Sequence, residues 1–94
     1  MSLQELIYSM KCGEEFDLQL KDLRIFLQPE YESLKEDCNE GASEYTRTII
    51  WIEDGEDSKE LFRGTTEEVI NYKFLGKYTF KDHMELFSIP TWWI

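Results

Sequence analysis

The sequence predicts an α+β domain with a four-stranded, mainly antiparallel sheet, an N-terminal helix and two short C-terminal helices packed mostly on one face. Three observations support this fold class. Residues 45–52 are densely β-branched and aromatic, which is typical of a strand inside a sheet. Residues 16–27 alternate as a hairpin does, and residues 3–12 and 80–87 have the apolar spacing of helices.

Size and charge limit the number of domains and the kind of partner. A chain of 94 residues can bury one hydrophobic core but not two, so residues 1–94 are expected to form a single domain. Twenty Asp and Glu against ten Lys and Arg give a formal charge of −10. This charge repels phosphate backbones and anionic lipid head groups, which argues against direct binding to nucleic acid or to a membrane surface.

The sequence also indicates a cytoplasmic location. It has no signal-peptide pattern, and no apolar run approaches the length of a membrane span. Cys12 and Cys38 form no Cys-x-x-Cys pair, so we expect both thiols to be reduced.

The N-terminal helix is predicted from its apolar spacing and from its ends. Ser2 and Glu5 form a capping-box pattern before residues 3–12, and Gly13 is a permissive stop. We expect this helix to cover the sheet of its own domain.

The hairpin of residues 16–27 is predicted with its register. A two-residue turn at Lys21 and Asp22 places all the apolar residues of both strands on one face. The expected pairs are Leu20 with Leu23, Leu18 with Ile25, and Phe16 with Leu27. Pro29 removes a backbone donor and ends the second strand.

Residues 30–44 carry six carboxylates against Lys35 alone, and this composition is typical of a solvated connection. The more specific interpretation is an acidic surface that receives a basic partner. Its contact residues would be Glu36, Asp37 and Glu40.

Residues 45–52 are expected to be the inner strand, with the ring of Trp51 buried. A turn over residues 53–58 leads into a second hairpin, for which we expect Ile52 opposite Lys59, Ile50 opposite Leu61, and Ile49 opposite Phe62. The acidic turn lacks the spacing of a calcium loop because position 61 is Leu. We therefore expect no metal there.

Two short helices are predicted near the C-terminus. Thr65 and Glu68 form a second capping box, before a helix that includes Phe74 and ends at Gly76. Thr79 and Asp82 repeat the spacing before a helix over residues 80–87.

The last residues include Trp92 and Trp93, whose side chains point to opposite sides of an extended tail. One ring can reach the core, and the tail is then either tucked against the helices or buried in a homodimer. One of these two arrangements is expected because a free apolar end is costly in a monomer, and of the two we favour tucking.

Catalysis has little support in the sequence. His83 is the sole histidine and is expected to be exposed on its helix. Neither a nucleophile elbow nor a glycine-rich phosphate loop occurs, so we expect no enzyme activity and no cofactor. A ligand pocket between sheet and helices, involving Tyr72, Tyr78 or His83, stays as a further alternative.

Several of these segments resemble a loose group of small uncharacterised proteins of low-GC Gram-positive bacteria and their mobile elements. The similar features are the hairpin of residues 16–27, the Trp51 strand, Leu61-Phe62 leading into residues 65–70, and residues 71–77 before a last helix. The resemblance implies a bacterial source and carries no activity with it.

The leading functional prediction is a non-enzymatic module that works by contact with an unknown, basic protein partner, using Glu36, Asp37, Glu40, Trp92 and Trp93. The alternative is an acidic inhibitor, of the immunity or nucleic-acid-mimic kind, that occupies a basic nuclease or DNA-binding protein.

Overall fold

The computed structural model has the α+β fold that the sequence predicts. It describes residues 1–37 and 42–89, with only the main chain of Glu36, Asp37, Ala42 and Asp54. The helices are α1 (Leu3–Cys12), α2 (Thr66–Ile70) and α3 (Phe80–His83). The strands are β1 (Phe16–Leu20), β2 (Leu23–Pro29), β3 (Leu34–Asp37), β4 (Ala42–Tyr45), β5 (Arg47–Asp54) and β6 (Asp57–Thr65). The main sheet has the order β1-β2-β5-β6 and is antiparallel throughout.

Helix α1 begins and ends where its capping residues predict. The Ser2 side chain accepts from the backbone N–H of Glu5, and the Glu5 carboxylate accepts from the backbone N–H of Ser2. These two bonds satisfy backbone donors that the first helical turn leaves free. Gly13 ends the helix at φ +82°, a left-handed conformation that glycine adopts without strain.

The first hairpin has the predicted register. Leu20 pairs with Leu23, Leu18 with Ile25, and Phe16 with Leu27. The inward side chains of both strands are buried, except for the half-buried Leu23 at the turn. Lys21 occupies the turn at φ +54°, which is uncommon for a residue other than glycine.

Strand β5 is the inner strand that the sequence predicts, since it pairs with β2 on one side and β6 on the other. Its start differs from the prediction, because Tyr45 belongs to β4 and Thr46 interrupts the run. Both the backbone N–H and the side-chain hydroxyl of Thr46 donate to the Ser33 carbonyl, so the backbone N–H of Thr46 does not bond to a neighbouring strand of the main sheet.

The register of the second hairpin is correct only near its turn. Ile52 pairs with Lys59 as predicted, but Ile50 pairs with Phe62 and Ile49 with Arg63. An irregularity between Ile50 and Trp51 gives β6 one extra residue, and this bulge shifts the partners by one position. The turn is also tighter than predicted: Asp54 pairs with Asp57.

The core lies between the sheet and the helices, on one face of the sheet. The sheet contributes Phe16, Leu18, Leu20, Ile25, Leu27 and Ile50. The helices and the turns next to them contribute Leu6, Met10, Val69, Phe74, Phe80, Met84 and Phe87.

Trp51 corrects one expectation, because its ring is half-buried. Neighbouring residues of a strand point to opposite faces, so Trp51 points away from the core that buries Ile50. On that face its indole Nε1 donates to Oε1 of Gln28 at 3.1 Å.

The C-terminal helices are shorter than predicted. Helix α2 has the predicted capping box but ends at Ile70, so Phe74 lies in a turn closed by a bridge to Tyr78. Helix α3 is followed by a 3-10 turn at Met84–Leu86. The helix and this turn together span most of the predicted helix. Ser88 then exchanges two backbone hydrogen bonds with Gln19 of β1, at 2.8 and 2.9 Å.

Truncation of two neighbouring residues in β5 tests which face carries the core. Ile50→Ala should lower the free energy of unfolding by about 2–5 kcal/mol, because Ile50 is fully buried. Trp51→Ala should cost about 1–2 kcal/mol, because much of the larger ring already contacts water. Chemical denaturation of both variants measures the difference. A larger loss for Trp51→Ala would place the core on the other face.

Candidate functional site

Residues 30–45 form the candidate site, which we call the acidic arm. The sequence predicts a solvated connection here, but the structure has a 3-10 turn (Tyr31–Ser33) and an antiparallel pair of strands, β3 and β4. Leu34 pairs with Tyr45 and Lys35 with Glu44. The acidic composition obscured this hairpin, because the stretch has few apolar residues to show an alternation.

None of the described side chains of the acidic arm belongs to the buried core. Tyr31 is 57% exposed and Leu34 is 38% exposed. An isolated two-stranded ribbon is marginally stable in water, so an arm without core residues depends on contacts at its base. Three sets of contacts supply that support.

The first set joins the arm to the end of α1. The ring of Tyr45 lies against Gly13, where an added Cβ would come within 2.4 Å of the Tyr45 Cε2 atom. Tyr31 packs edge-to-face on Tyr45, with the ring centroids 6.1 Å apart. The Tyr31 hydroxyl donates to the Glu15 carboxylate, and this bond raises the pKa of the Tyr31 phenol.

The second set is a group of hydrogen bonds around Ser33. Its hydroxyl donates to the Glu30 carbonyl at 2.6 Å and accepts from the backbone N–H of Arg47 at 3.1 Å. Its own carbonyl accepts twice from Thr46. These bonds fix both ends of the arm where they leave the main sheet.

The third set is a chain of ion pairs centred on Glu30. The Glu30 carboxylate accepts from Nε of Arg47 at 2.6 Å and from Nη1 of Arg63 at 2.9 Å. Arg63 also donates to Glu60 at 2.5 Å. The hydrogen bond from Arg47, and after it that from Arg63, hold the pKa of Glu30 below its usual value. Glu30 is therefore engaged within the protein.

The structure describes only some of the residues that the sequence predicts to contact a partner. Glu36 and Asp37 lie in β3, where the structure describes their main chain. Glu40 lies outside the described residues, as do Trp92 and Trp93. Two further carboxylates of the arm, Glu32 and Glu44, are exposed.

The residues predicted for a ligand pocket are only partly grouped together. Tyr78 and His83 lie edge-to-face with ring centroids 5.5 Å apart, whereas Tyr72 stacks on Phe62 at 5.0 Å. His83 is half-buried instead of exposed, since it packs on the Tyr78 ring, and its Nδ1 accepts from the backbone N–H of Thr79 at 3.2 Å.

The described part of the chain has neither a metal-binding cluster nor a membrane-spanning helix. No group of three or more His, Cys, Asp or Glu residues is arranged to hold a metal ion. Within the same residues, no helix has the length and apolar character that a membrane crossing needs.

Comparison with known proteins gives no relative for this fold and arm. No protein-family model matches the chain, and no curated protein and no solved structure matches it either. The resemblance to the group of Gram-positive proteins stays a prediction.

The packing of Tyr45 on Gly13 can be tested with a matched glycine. Gly13→Ala and Gly55→Ala both place a Cβ at a positive φ, which costs about 1–2 kcal/mol, but Gly55 has no atom within 4 Å of the added Cβ. Gly13→Ala should therefore lower the free energy of unfolding by more than Gly55→Ala does. Adding Tyr45→Ala should recover part of the difference. Equal losses for the two glycine variants would show that Tyr45 is not an anchor.

The ion pairs of Glu30 predict a pH dependence. A carboxyl whose pKa is lowered by folding stabilises the protein above its unfolded pKa, about 4.3, and loses this effect as pH falls through the folded value. The free energy of unfolding of wild type should exceed that of Glu30→Gln most at neutral pH. This difference should shrink below about pH 4. Arg47→Gln should weaken the same dependence, whereas a difference that is constant with pH would rule out the ion pairs as its cause.

Proposed function

We propose that this protein is a non-enzymatic binding module whose acidic arm receives a basic surface of a partner protein. The observation that carries the proposal is the anchoring of the arm. Three separate sets of contacts hold the described parts of the arm, residues 30–37 and 42–45, in place, although no described side chain there contributes to the core. A segment that is fixed without serving the core is suited to present side chains to another molecule.

Charge favours a basic partner. With Glu30 engaged by two arginines, the arm still has Glu32, Glu36, Asp37, Glu40 and Glu44, against Lys35 alone. The whole chain carries −10, so its field attracts a cationic surface and speeds the encounter.

The partner surface should also have apolar groups between its lysines or arginines. Among the described residues of the arm, Tyr31 and Leu34 are the exposed large apolar side chains, and both lie at its base. An interface with an apolar centre and a charged rim is the usual anatomy of specific protein contacts. We therefore expect the partner to cover Tyr31 and Leu34 and to place its cations against the carboxylates.

Two variants with equal net charge separate the arm from the general acidity of the protein. Each variant has four acids replaced by amides, so the formal charge changes from −10 to −6 in both. The arm variant carries Glu32→Gln, Glu36→Gln, Asp37→Asn and Glu44→Gln. The control variant carries Glu56→Gln, Asp57→Asn, Glu67→Gln and Glu85→Gln.

The probe is a fluorescently labelled nona-arginine peptide, whose binding is followed by anisotropy at about 50 mM salt. The arm variant should bind about tenfold more weakly than wild type, whereas the control variant should lose about threefold or less. Affinity should fall as salt rises, because exposed charges are screened. An equal loss in both variants would show that only net charge matters and would overturn the assignment to the arm. Failure of wild type to bind the peptide would overturn it as well.

A further inference from the structure

Two strained residues meet at one depression on the surface, away from the acidic arm. Lys21 at φ +54° and Leu75 at φ +55° are the non-glycine residues with positive φ in the described part of the chain. Both line an open depression of about 360 Å³, together with Leu20, Asp22 and Leu23. Non-glycine residues in left-handed conformations cost free energy and cluster at functional sites.

Leu75 is the more unusual of the two. Its side chain is 58% exposed, so burial of the side chain offsets little of the free-energy cost of its backbone conformation. The turn around it is fixed by two backbone hydrogen bonds between Phe74 and Tyr78, at 2.7 and 2.9 Å. Glycine or asparagine would adopt this conformation more readily. A leucine there presents an apolar side chain to solvent at the edge of the depression.

Two lysines contact Tyr78, and one of them, Lys21, lines the depression. The Lys21 ammonium donates to the Tyr78 hydroxyl at 3.0 Å and lies 4.9 Å from the centre of the Tyr78 ring. The Lys77 ammonium lies 5.0 Å from the same ring centre. Hydrogen bonds from Lys21, and after it Lys77, lower the pKa of the Tyr78 phenol.

These two ammonium groups have hydrogen-bond donors that an anion can use. Every ion pair found among the described residues uses arginine, and neither Lys21 nor Lys77 has a carboxylate within 4.0 Å in that part of the chain. An ammonium group has three donors, and the Tyr78 hydroxyl occupies one of those of Lys21. Lys21 and Asp22 are the charged residues that line the depression, and Lys77 adds a second cation on the Tyr78 ring that Lys21 contacts.

We propose that this depression, lined by Lys21, Leu23 and Leu75, binds a segment of a partner protein that has an apolar side chain beside an acidic one, with Lys77 on the adjoining Tyr78 ring as the second cation. The apolar side chain lies against the leucines, and the carboxylate lies against the two ammonium groups. A protein segment fits better than a small molecule, because the depression is open and small-molecule sites enclose most of their ligand. A free phosphate fits less well, because it has no apolar group to lie against the leucines that line the depression.

Titrations of the ¹⁵N-labelled full chain, followed by amide chemical shifts, test this proposal. The probe is an acetylated Glu-Leu-Glu-Leu peptide amide. It should shift the amides of residues 20–23 and 74–78. Peptides with Gln in place of Glu, or Gly in place of Leu, should bind at least fivefold more weakly. Inorganic phosphate alone should shift these amides little. If phosphate reproduces the shifts, or if all peptides act alike, the proposal fails.

Leu75→Gly separates binding from folding. It removes both the strain and the apolar side chain, so the midpoint of chemical unfolding should rise while peptide binding weakens at least fivefold. Leu86→Gly removes an exposed leucine elsewhere and should leave peptide binding unchanged. Unchanged binding in Leu75→Gly would overturn the proposal.

Charge variants complete the test. The double variant Lys21→Gln, Lys77→Gln should weaken peptide binding at least fivefold, whereas Lys73→Gln, Lys81→Gln should weaken it by less than twofold. The arm variant should bind the peptide no more weakly than wild type does, which keeps this test separate from that of the acidic arm. Shifts of residues 20–23 and 74–78 that grow with protein concentration alone would identify a second copy of the chain as the occupant and would contradict a partner segment.

Discussion

The burial of one face of β5 is the constraint on which the rest of the structure depends. Ile50 is completely buried and lies between Leu27 of β2 and Phe62 of β6. Antiparallel pairing on both sides fixes which residues of the neighbouring strands point inward, and the helices must then cover that face. The opposite face carries Trp51, whose indole Nε1 donates to Gln28, and Ile49, which is buried there outside the main core cluster. One buried row therefore determines both the position of the helices and the asymmetry of the sheet.

Arg47 connects this sheet to the acidic arm. It pairs with Thr65 in the main sheet, its backbone N–H donates to Ser33, and its guanidinium group donates to Glu30. The first residue of the inner strand is thus also part of the base of the arm. A movement of the arm would require these bonds to break or the start of β5 to shift. The arm is consequently held by the same strand that organises the core, although its described side chains lie outside that core.

Local patterns allowed the first hairpin, the three capped helix starts and the inner position of β5 to be predicted. The sequence patterns that predict the hairpin and the helix starts each span only a few residues. The hairpin is predicted by the alternation of apolar residues around Lys21, and two of the helix starts by a Thr with an acid three positions later. The shift from Leu61 to Phe62 opposite Ile50 could not be predicted, because a bulge depends on packing between strands. The arm was missed since its supports, Gly13 under Tyr45 and Arg63 on Glu30, join residues far apart in sequence. The acidic residues of the candidate site were predicted, but their anchoring was not.

The strand order leaves β6 at one edge of the main sheet, with backbone donors and acceptors facing outward along much of Asp57–Thr65. Such an edge is a template on which another chain can add a strand. Lys59, Glu60 and Arg63 place charges of both signs along it, and all three are exposed. A second β6 approaching this rim would have to strip water from those charges, which guards the protein against sheet-to-sheet polymerisation at high concentration.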